Sequence, residues 1–586
     1  MRINTNNTLE FITILEQLSE LALSQKAKEK LRSLEPFLSE SECKSKMRET
    51  TEALKILECV GSPPLALMKD LDKVLDLTII GSMLIPEQLT SISGFISSCK
   101  RMKNYLRKAE LLDIGVAFYG GSLNELIILF EEIDRSIRNG LVDDNASISL
   151  RDIRRKIENT KLAVKTKLES ILRSKKEWFA DGYVTTRNGR FVLPLKKEYK
   201  NQVSGTVIDS SATGGTYFIE PASVKKLQEE LSILLIDEDN EERKILYTLT
   251  ALVDSHMSEL KNNMECMETL DFVFAKAKLS VEMKAIPVPI TTKRKIIIKK
   301  GRHPLLKQEL CIPLDFEIGD NIHGIVITGP NTGGKTVALK TVGLLSLMAQ
   351  SGLHVPVAAG SVFCMHSNIL CDIGDGQSIT ENLSTFSSHI TNIICILKNV
   401  SIESLVLLDE LGSGTDPAEG MGLAVAILEE LRQKGCLFIA TTHYPEIKDF
   451  AMNTDRLINA RMEFDRESLQ PLYKLQIGEA GESCALYIAR RLGFPEHMLK
   501  RAHAEAYGHS NSASRDIPSM SFSENIANAL TAPVSKIQKE IPKKIVELRS
   551  EKFNIGDSVM IYPQKSIGII FKRANGKGEQ IGRAHV

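Results

Sequence analysis

The chain has 586 residues, too many for one compact core, and about three to five domains are expected from that length. Lysine plus arginine equals aspartate plus glutamate at 74 each, which excludes a wholly basic nucleic-acid coat but leaves room for a local basic groove. No apolar run reaches the length of a membrane helix and Met1-Arg2-Ile3-Asn4 opens no apolar signal core, so a cytoplasmic protein without a membrane partner is expected.

Residues 1–150 read as a helical core domain. Leu9, Phe11, Ile12, Leu15, Leu18, Leu21 and Leu23 recur with a helical period, and Pro36, Pro63, Pro64 and Pro86 punctuate the region. Residues 151–290 read as lever helices. The stretch 150–178 is charged and amphipathic, with Ile153, Ile157, Leu162, Leu168 and Leu172 among its apolar positions. Tyr183 to Leu195 then reads as two short strands around an Asn188-Gly189 turn, and Val203 to Glu220 continues in strand-and-turn style with Gly205, Gly214 and Gly215. A second long charged helix is expected from Pro221 to about 285. A small β insert at about 183–220 thus interrupts two long helices, which makes a lever with a contact point.

Residues 291–507 alternate strand-like and helical patterns, as in an α/β domain with several parallel strands. Residues 508–535 are rich in Ser, Asn, Ala and Pro, and 508–552 reads as a linker or short helical segment. Residues 553–580 read as a small β unit. Ile581 to Val586 match the translation of a common sequencing adapter, so 581–586 is expected to be foreign, with the natural gene continuing beyond a cut near residue 580. Ten cysteines without a Cys-x-x-Cys pair read as reduced, mostly buried thiols rather than a zinc site. Cys43, Cys59 and Cys99 fall in helical stretches and Cys436 in a strand-like one.

The chemistry concentrates in 291–507. His323 to Thr328 is an apolar strand leading into Gly329-Pro330-Asn331-Thr332-Gly333-Gly334-Lys335-Thr336, a complete match to G-x-x-x-x-G-K-[ST]. In such a loop consecutive backbone N–H groups face phosphates and the following helix adds its positive end. Lys335 reaches the β- and γ-phosphates of ATP, and Thr336 offers its hydroxyl to Mg²⁺. Leu405 to Leu408 is a buried-strand run ending in Asp409-Glu410. Asp409 is the expected Mg²⁺ carboxylate and Glu410 the group that orients or deprotonates the attacking water. His443 ends a further apolar strand, 34 residues after Asp409, where it can bond the γ-phosphate or the water. Ser384, Thr385, Ser387 and Ser388 lie in Leu383-Ser-Thr-Phe-Ser-Ser-His389, small polar residues at a helix start that suit phosphate contact, and Gly412 to Gly420 is a further small-residue loop. The fold expected is multidomain α plus α/β: helical core, lever with β clamp, and an ABC-type P-loop ATPase domain.

With these residues in hand the chain resembles the MutS ATPases. The motifs above, Thr442-His443-Tyr444 and Gly301-Arg302-His303-Pro304-Leu305-Leu306 carry the likeness. Asp144-Asn145-Ala146-Ser147 with Leu150-Arg151, Arg187 to Pro194 and Phe218-Ile219-Glu220-Pro221 point to the type-two branch of the family. The resemblance covers roughly residues 5–510 and, more loosely, a KOW-like unit at 553–575. It has no counterpart to the mismatch-reading N-terminal domain of repair MutS, nor to the branch's C-terminal Smr nuclease domain, so endonuclease activity is expected to be lost or weak. The resemblance implies a homodimer with two composite ATP sites, each completed by the Ser384–Ser388 loop of the other subunit. It also implies a clamp on branched or structured DNA that suppresses homologous recombination, or on collided 70S ribosomes, through their rRNA, that it splits. Arg187, Arg190, Lys196, Lys197 and Lys200 would give the clamp its positive charge. The alternative is an ATP-gated structural dimer of the chromosome-maintenance class. A transporter subunit would show Leu-Ser-Gly-Gly-Gln where Leu383 to His389 stands.

Overall fold

Short apolar runs stack side by side at the centre of the larger unit. In the computed structural model a six-stranded sheet has the spatial order Ile369–Asp372, Leu405–Leu408, Leu437–Thr441, Gly324–Thr328, Leu457–Phe464, Pro471–Ile477. The first five strands are parallel and the last pairs antiparallel. Ile325, Ile327, Leu405, Leu407 and Ile439 enter one core, while Val326, Val406, Leu408 and Phe438 enter the core on the opposite face. Burial on both faces is why these strands read as continuous apolar runs rather than alternating ones. The structure describes residues 5–65, 70–307, 309, 311–329, 334–374, 385–465, 471–481, 485–491 and 493–507, together with the strands 558–561, 566–572 and 581–584. Residues up to Ala485 make one unit and Leu486–Val586 a second.

The helices of the first 150 residues divide their apolar side chains between two cores. Leu9, Phe11, Ile14, Leu18 and Leu31 join Leu339 and Leu407 beneath the sheet. Leu89, Phe95, Met102 and Leu129 pack instead with Leu249, Met267 and Phe274 of the later helices. The helical period expected through Leu23 stops earlier. The helix Phe11–Glu20 ends, and Ser24 caps a new one by accepting from the Ala27 N–H. Ile14 turns inward, whereas Ile12 and Leu23 stay exposed at 40% and 37%.

Two long antiparallel helices, Ile148–Ser174 and Lys225–Ser255, form the lever. Ser147 caps the first by accepting from the Leu150 N–H at 2.9 Å and bonds Glu241 at 2.9 Å. Arg154 clasps the pair together, donating to Glu238 at 2.8 Å, to Glu242 at 2.6 Å and to the Val142 carbonyl at 2.9 Å. Leu162, expected on the apolar stripe, is 65% exposed. The second helix stops at Ser255, His256 interrupts it at φ −109° and ψ 19°, and a new helix runs Met257–Met283. No proline or glycine stands at that break.

At the far end of the lever sits an antiparallel sheet in the order Thr185–Arg187, Arg190–Lys196, Thr216–Pro221, Gly205–Ser210. Asn188 and Gly189 both take positive φ, 50° and 74°, as a tight hairpin requires. Leu193, Leu195 and Ile219 pack on Val164, Leu168 and Leu172 of the lever. Trp178, the one tryptophan of the chain, stacks on Tyr199 at the root of this sheet with centroids 6.1 Å apart.

In the second unit, the helix Glu496–Tyr507 is followed by an antiparallel sheet of Ser558–Ile561, Ser566–Lys572 and Ile581–Ala584. Gly568 pairs with Ala584, so part of the tail expected to be foreign forms the third strand. The linker expected at 508–552 lies outside the described residues.

Cys43, Cys99, Cys266, Cys364, Cys371 and Cys436 are free and buried, and burial pushes the Cys99, Cys364 and Cys436 thiols up to about 12. Cys436 precedes its strand rather than lying in it. Among the described residues no group of three or more His, Cys, Asp or Glu is placed to hold a metal. No described helix is long and apolar enough to cross a membrane.

Candidate active site

The parallel strands deliver their chemistry at one edge. Gly324–Thr328 ends at Gly329, and the helix Lys335–Gln350 begins after Gly334, which takes a left-handed φ of 87°. A Cβ at Gly334 would lie 2.7 Å from the ring of Tyr473, so glycine is needed there on two counts. Lys335 Nζ donates to the Gly329 carbonyl at 2.8 Å and lies 3.1 Å from His443 Nε2. Burial pulls the Lys335 ammonium down to about 8, against the opposing pull of Glu410 and Asp409. An anion brought to that ammonium would restore its charge, which is what a phosphate cradle requires of its lysine.

Thr336 and Asp409 meet directly, with Thr336 Oγ1 donating to Asp409 Oδ2 at 2.7 Å. The other carboxylate oxygen accepts from Thr441 Oγ1 at 2.5 Å, and Thr441 Oγ1 in turn accepts the Glu410 N–H at 2.8 Å. One hydroxyl and one carboxylate oxygen side by side suit a hard cation. Mg²⁺ typically takes one or two protein oxygens and fills its remaining positions with water and phosphate. Glu410 has a φ of 48°, a conformation costly for a non-glycine residue by about 1 to 3 kcal/mol. Leu411 N–H, donating to the Thr441 carbonyl at 2.9 Å, helps hold it there. Glu410 Oε1 stands 3.8 Å from His443 Nε2. Burial, and then Lys335, lowers the His443 pKa, so the imidazole is neutral at pH 7 and can accept a proton.

The structure therefore brings Gly329, Gly334, Lys335, Thr336, Asp409, Glu410 and His443 together. Pro330, Asn331, Thr332, Gly333 and Ser384 lie outside the described residues, as does the side chain of Thr385. Ser387 and Ser388 occupy the first turn of the helix Thr385–Asn399 and are half-buried. Behind Glu410 the loop closes tightly. A Cβ at Gly420 would lie 2.2 Å from the Gly412 carbonyl oxygen and 2.7 Å from the Tyr444 hydroxyl, and that hydroxyl donates to the same carbonyl at 2.9 Å.

Thr441 and Tyr473 are the site residues that motif reading passes over. A threonine in a strand and a tyrosine in a strand are ordinary, and only spatial pairing reveals them. The faint signal for Thr441 was the Thr441-Thr442-His443 run at the end of an apolar strand.

A protein-family model for MutS domain V matches residues 325–508. Endonuclease MutS2 of Bacillus velezensis is 41% identical over 541 residues, covering 91% of this chain and 69% of that protein. The chain belongs to the MutS family, in its MutS2 branch. Putative endonuclease MutS2 of Bacillus subtilis (strain 168) is 40% identical over 560 residues, 93% of this chain and 71% of the relative. Endonuclease MutS2 of Alkaliphilus oremlandii is 42% identical over 499 residues, 84% and 63% respectively. The chain thus spans about two thirds of the length of the MutS2 proteins it matches.

The clamp residues fare unevenly as a basic surface. Arg190 is held by Glu220 at 2.7 Å, and Glu220 is only 2% exposed. Arg187 lies over the Phe218 ring, 4.3 Å from its centroid, and 3.6 Å from Asp209. Both arginines are therefore already engaged within the sheet. Lys196 donates to the Glu177 carbonyl at 3.0 Å, Lys200 lies over the Tyr217 ring, and Lys196, Lys197 and Lys200 are all exposed. A basic contact surface would rest on these three lysines.

Proposed function

We propose that the chain is a Mg²⁺-dependent ATP hydrolase with an ABC-type P-loop domain, acting in the cytoplasm as a homodimer and gripping nucleic acid with its β clamp. The observation that carries this reading is the Lys335–His443–Glu410–Asp409–Thr336 constellation at the edge of a parallel sheet. In it the Gly329–Thr336 loop and Lys335 bind the phosphates. Thr336 and Asp409 would hold Mg²⁺, which would supply charge neutralisation for the phosphates. Glu410, set by its strained backbone and the Thr441 hydroxyl, accepts the proton of the attacking water, with neutral His443 beside it to orient that water. Ser387 and Ser388, on the first turn of the helix Thr385–Asn399, would face the nucleotide of the partner subunit. Membership of the MutS2 branch supports the dimer and DNA as its substrate.

The substrate of the clamp is branched DNA, where gripping would suppress recombination. A collided ribosome, split through its rRNA, presents phosphates to the same Lys196, Lys197 and Lys200, and the assay separates the two. Steady-state ATP turnover of the full chain is measured alone, with branched DNA, with linear duplex and with collided ribosomes, while DNA integrity is followed for any strand cleavage. Turnover dependent on Mg²⁺, lost in Lys335→Ala with the circular-dichroism spectrum unchanged, and raised by branched DNA more than by linear duplex is expected. A Lys335→Ala chain that hydrolyses ATP at the wild-type rate refutes the site. Stimulation by ribosomes alone moves the substrate from DNA to the ribosome.

A further inference from the structure

One carboxylate of the ATPase domain lies outside the phosphate and metal machinery and yet touches both halves of the proposed site. Asp372 ends the strand Ile369–Asp372 and is buried. Its backbone carbonyl accepts the Asp409 N–H at 2.8 Å, so it fixes the main chain of the metal carboxylate. Its side chain turns the other way. Oδ2 accepts from, or pairs with, His389 Nδ1 at 2.8 Å, and Oδ1 accepts from Asn392 Nδ2 at 2.8 Å. His389 and Asn392 are the fifth and eighth residues of the helix Thr385–Asn399, three apart and so on one face of it. The loop that follows Glu410 also approaches this helix. A Cβ at Gly414, in the loop that follows Glu410, would lie 3.4 Å from Phe386 Cβ on the first turn of the same helix. Asp372, Phe386, His389, Asp409, Glu410 and Gly412 line one small cavity between strand end, loop and helix.

A buried carboxylate with both oxygens bonded to one helix face is a costly arrangement to keep unless the helix must stand in one place. Charge-assisted bonds to two residues of a single helix fix its rotation as well as its distance. The rigid unit is then strand, metal carboxylate and helix start, and Ser387 and Ser388 on that first turn move only when the Asp409 strand moves.

We infer that Asp372, through His389 and Asn392, is the positioning residue that aims Ser387 and Ser388, on the first turn of that helix, at the partner subunit's nucleotide and couples that aim to the metal carboxylate of its own site. The inference rests on the composite-site reading above. It assigns Asp372 no contact with nucleotide. Its loss therefore lowers turnover at the opposite cradle while the cis cradle goes on binding ATP.

The test uses full-length chains carrying Asp372→Ala, His389→Ala, both, or Lys335→Ala. Asp372→Ala and His389→Ala are each expected to lower kcat roughly tenfold while KM and the affinity for ATP change by less than about twofold, their double variant falls no further than either one, and Lys335→Ala is expected to show no turnover. His389→Ala removes the bond from the less buried side, so it serves if Asp372→Ala does not fold. The deciding measurement mixes His389→Ala chains with roughly a tenfold excess of Lys335→Ala chains. In such dimers the working cradle faces an intact helix, and turnover per working cradle returns to within about twofold of wild type. Defects that add in the double variant, that appear in KM alone, or that persist in the mixed dimers overturn the inference. Turnover by Lys335→Ala alone would instead overturn the ATP-site reading on which it rests.

Discussion

Thr441 Oγ1 is one atom with two partners, donating to Asp409 and accepting from the Glu410 N–H. Valine keeps its shape and removes both bonds, leaving a buried carboxylate oxygen and a backbone N–H without that partner. Thr441→Val is expected to cost on the order of 1 to 3 kcal/mol, read as a lower urea midpoint, and to reduce kcat well beyond any change in KM. A second residue-scale prediction concerns Lys276, wholly buried in the helix Met257–Met283 and 5.3 Å from the Phe272 ring. Burial lowers its pKa to about 8 from 10.5, partly offset by Glu49. A lysine with a folded pKa below its unfolded one costs stability at every pH below the folded value, and the cost fades as pH rises from about 8 towards 10.5. Lys276→Met should therefore be more stable at pH 7 by an amount on the order of 1 to 3 kcal/mol, read as a higher urea midpoint, and its advantage over wild type should shrink by pH 10. An advantage that is the same at both pH values would refute the assignment. Lys335, Thr336, Asp409 and Glu410 stand out in the chain because phosphate and metal chemistry demand particular residue types at fixed spacing. Thr441, Asp372 and Lys276 do not, because what matters in them is a partner 17 to 32 positions away or the surroundings a fold provides.

At the scale of elements, the hairpin at Asn188-Gly189 and the apolar strands at 324–328 and 405–408 are legible because turn chemistry and burial are local. The break at His256 is not, since neither proline nor glycine marks it. Nor is the fate of Arg190, which reads as a contact for nucleic acid and instead binds the nearly buried Glu220. Arg190→Ala strands that carboxylate and should destabilise the clamp sheet by about 1 to 3 kcal/mol, discounting for the partial exposure of the arginine. Trp178 at the root of that sheet makes the effect observable. Its fluorescence in a urea titration should change at lower denaturant in Arg190→Ala and be unmoved in Thr441→Val. Coincident shifts in both variants would show that clamp and ATPase sheet unfold together.

For the whole molecule, balanced charge means that any grip on nucleic acid must come from a patch. Replacing Lys196, Lys197 and Lys200 together by alanine should weaken DNA binding and reduce the slope of log affinity against log salt by about 2 to 3, with basal ATP turnover unchanged. An unchanged slope would move the contact elsewhere on the chain. The division of the first 150 residues between two cores is the feature that residue patterns hid most completely. Periodicity tells which face of a helix is buried but not against what, and Leu9 and Leu89 carry the same apolar signal on their way to different neighbours.

The helix from Ile148 to Ser174 has 27 residues, about 40 Å at 1.5 Å per residue. The Arg154 clasp grips its beginning and the clamp sheet is packed on its last turns. A rigid rod held so converts angle into travel. A tilt of about 5° at the clasp end carries the far end about 3 Å, roughly the length of one hydrogen bond. If the sheet is the clamp proposed above, such a rod would need no large rearrangement at the other end to open it. Its mechanical gain depends on the stiffness of the Arg154–Glu238–Glu242 fastening, and a softer fastening would let the same tilt dissipate before it reached the tip.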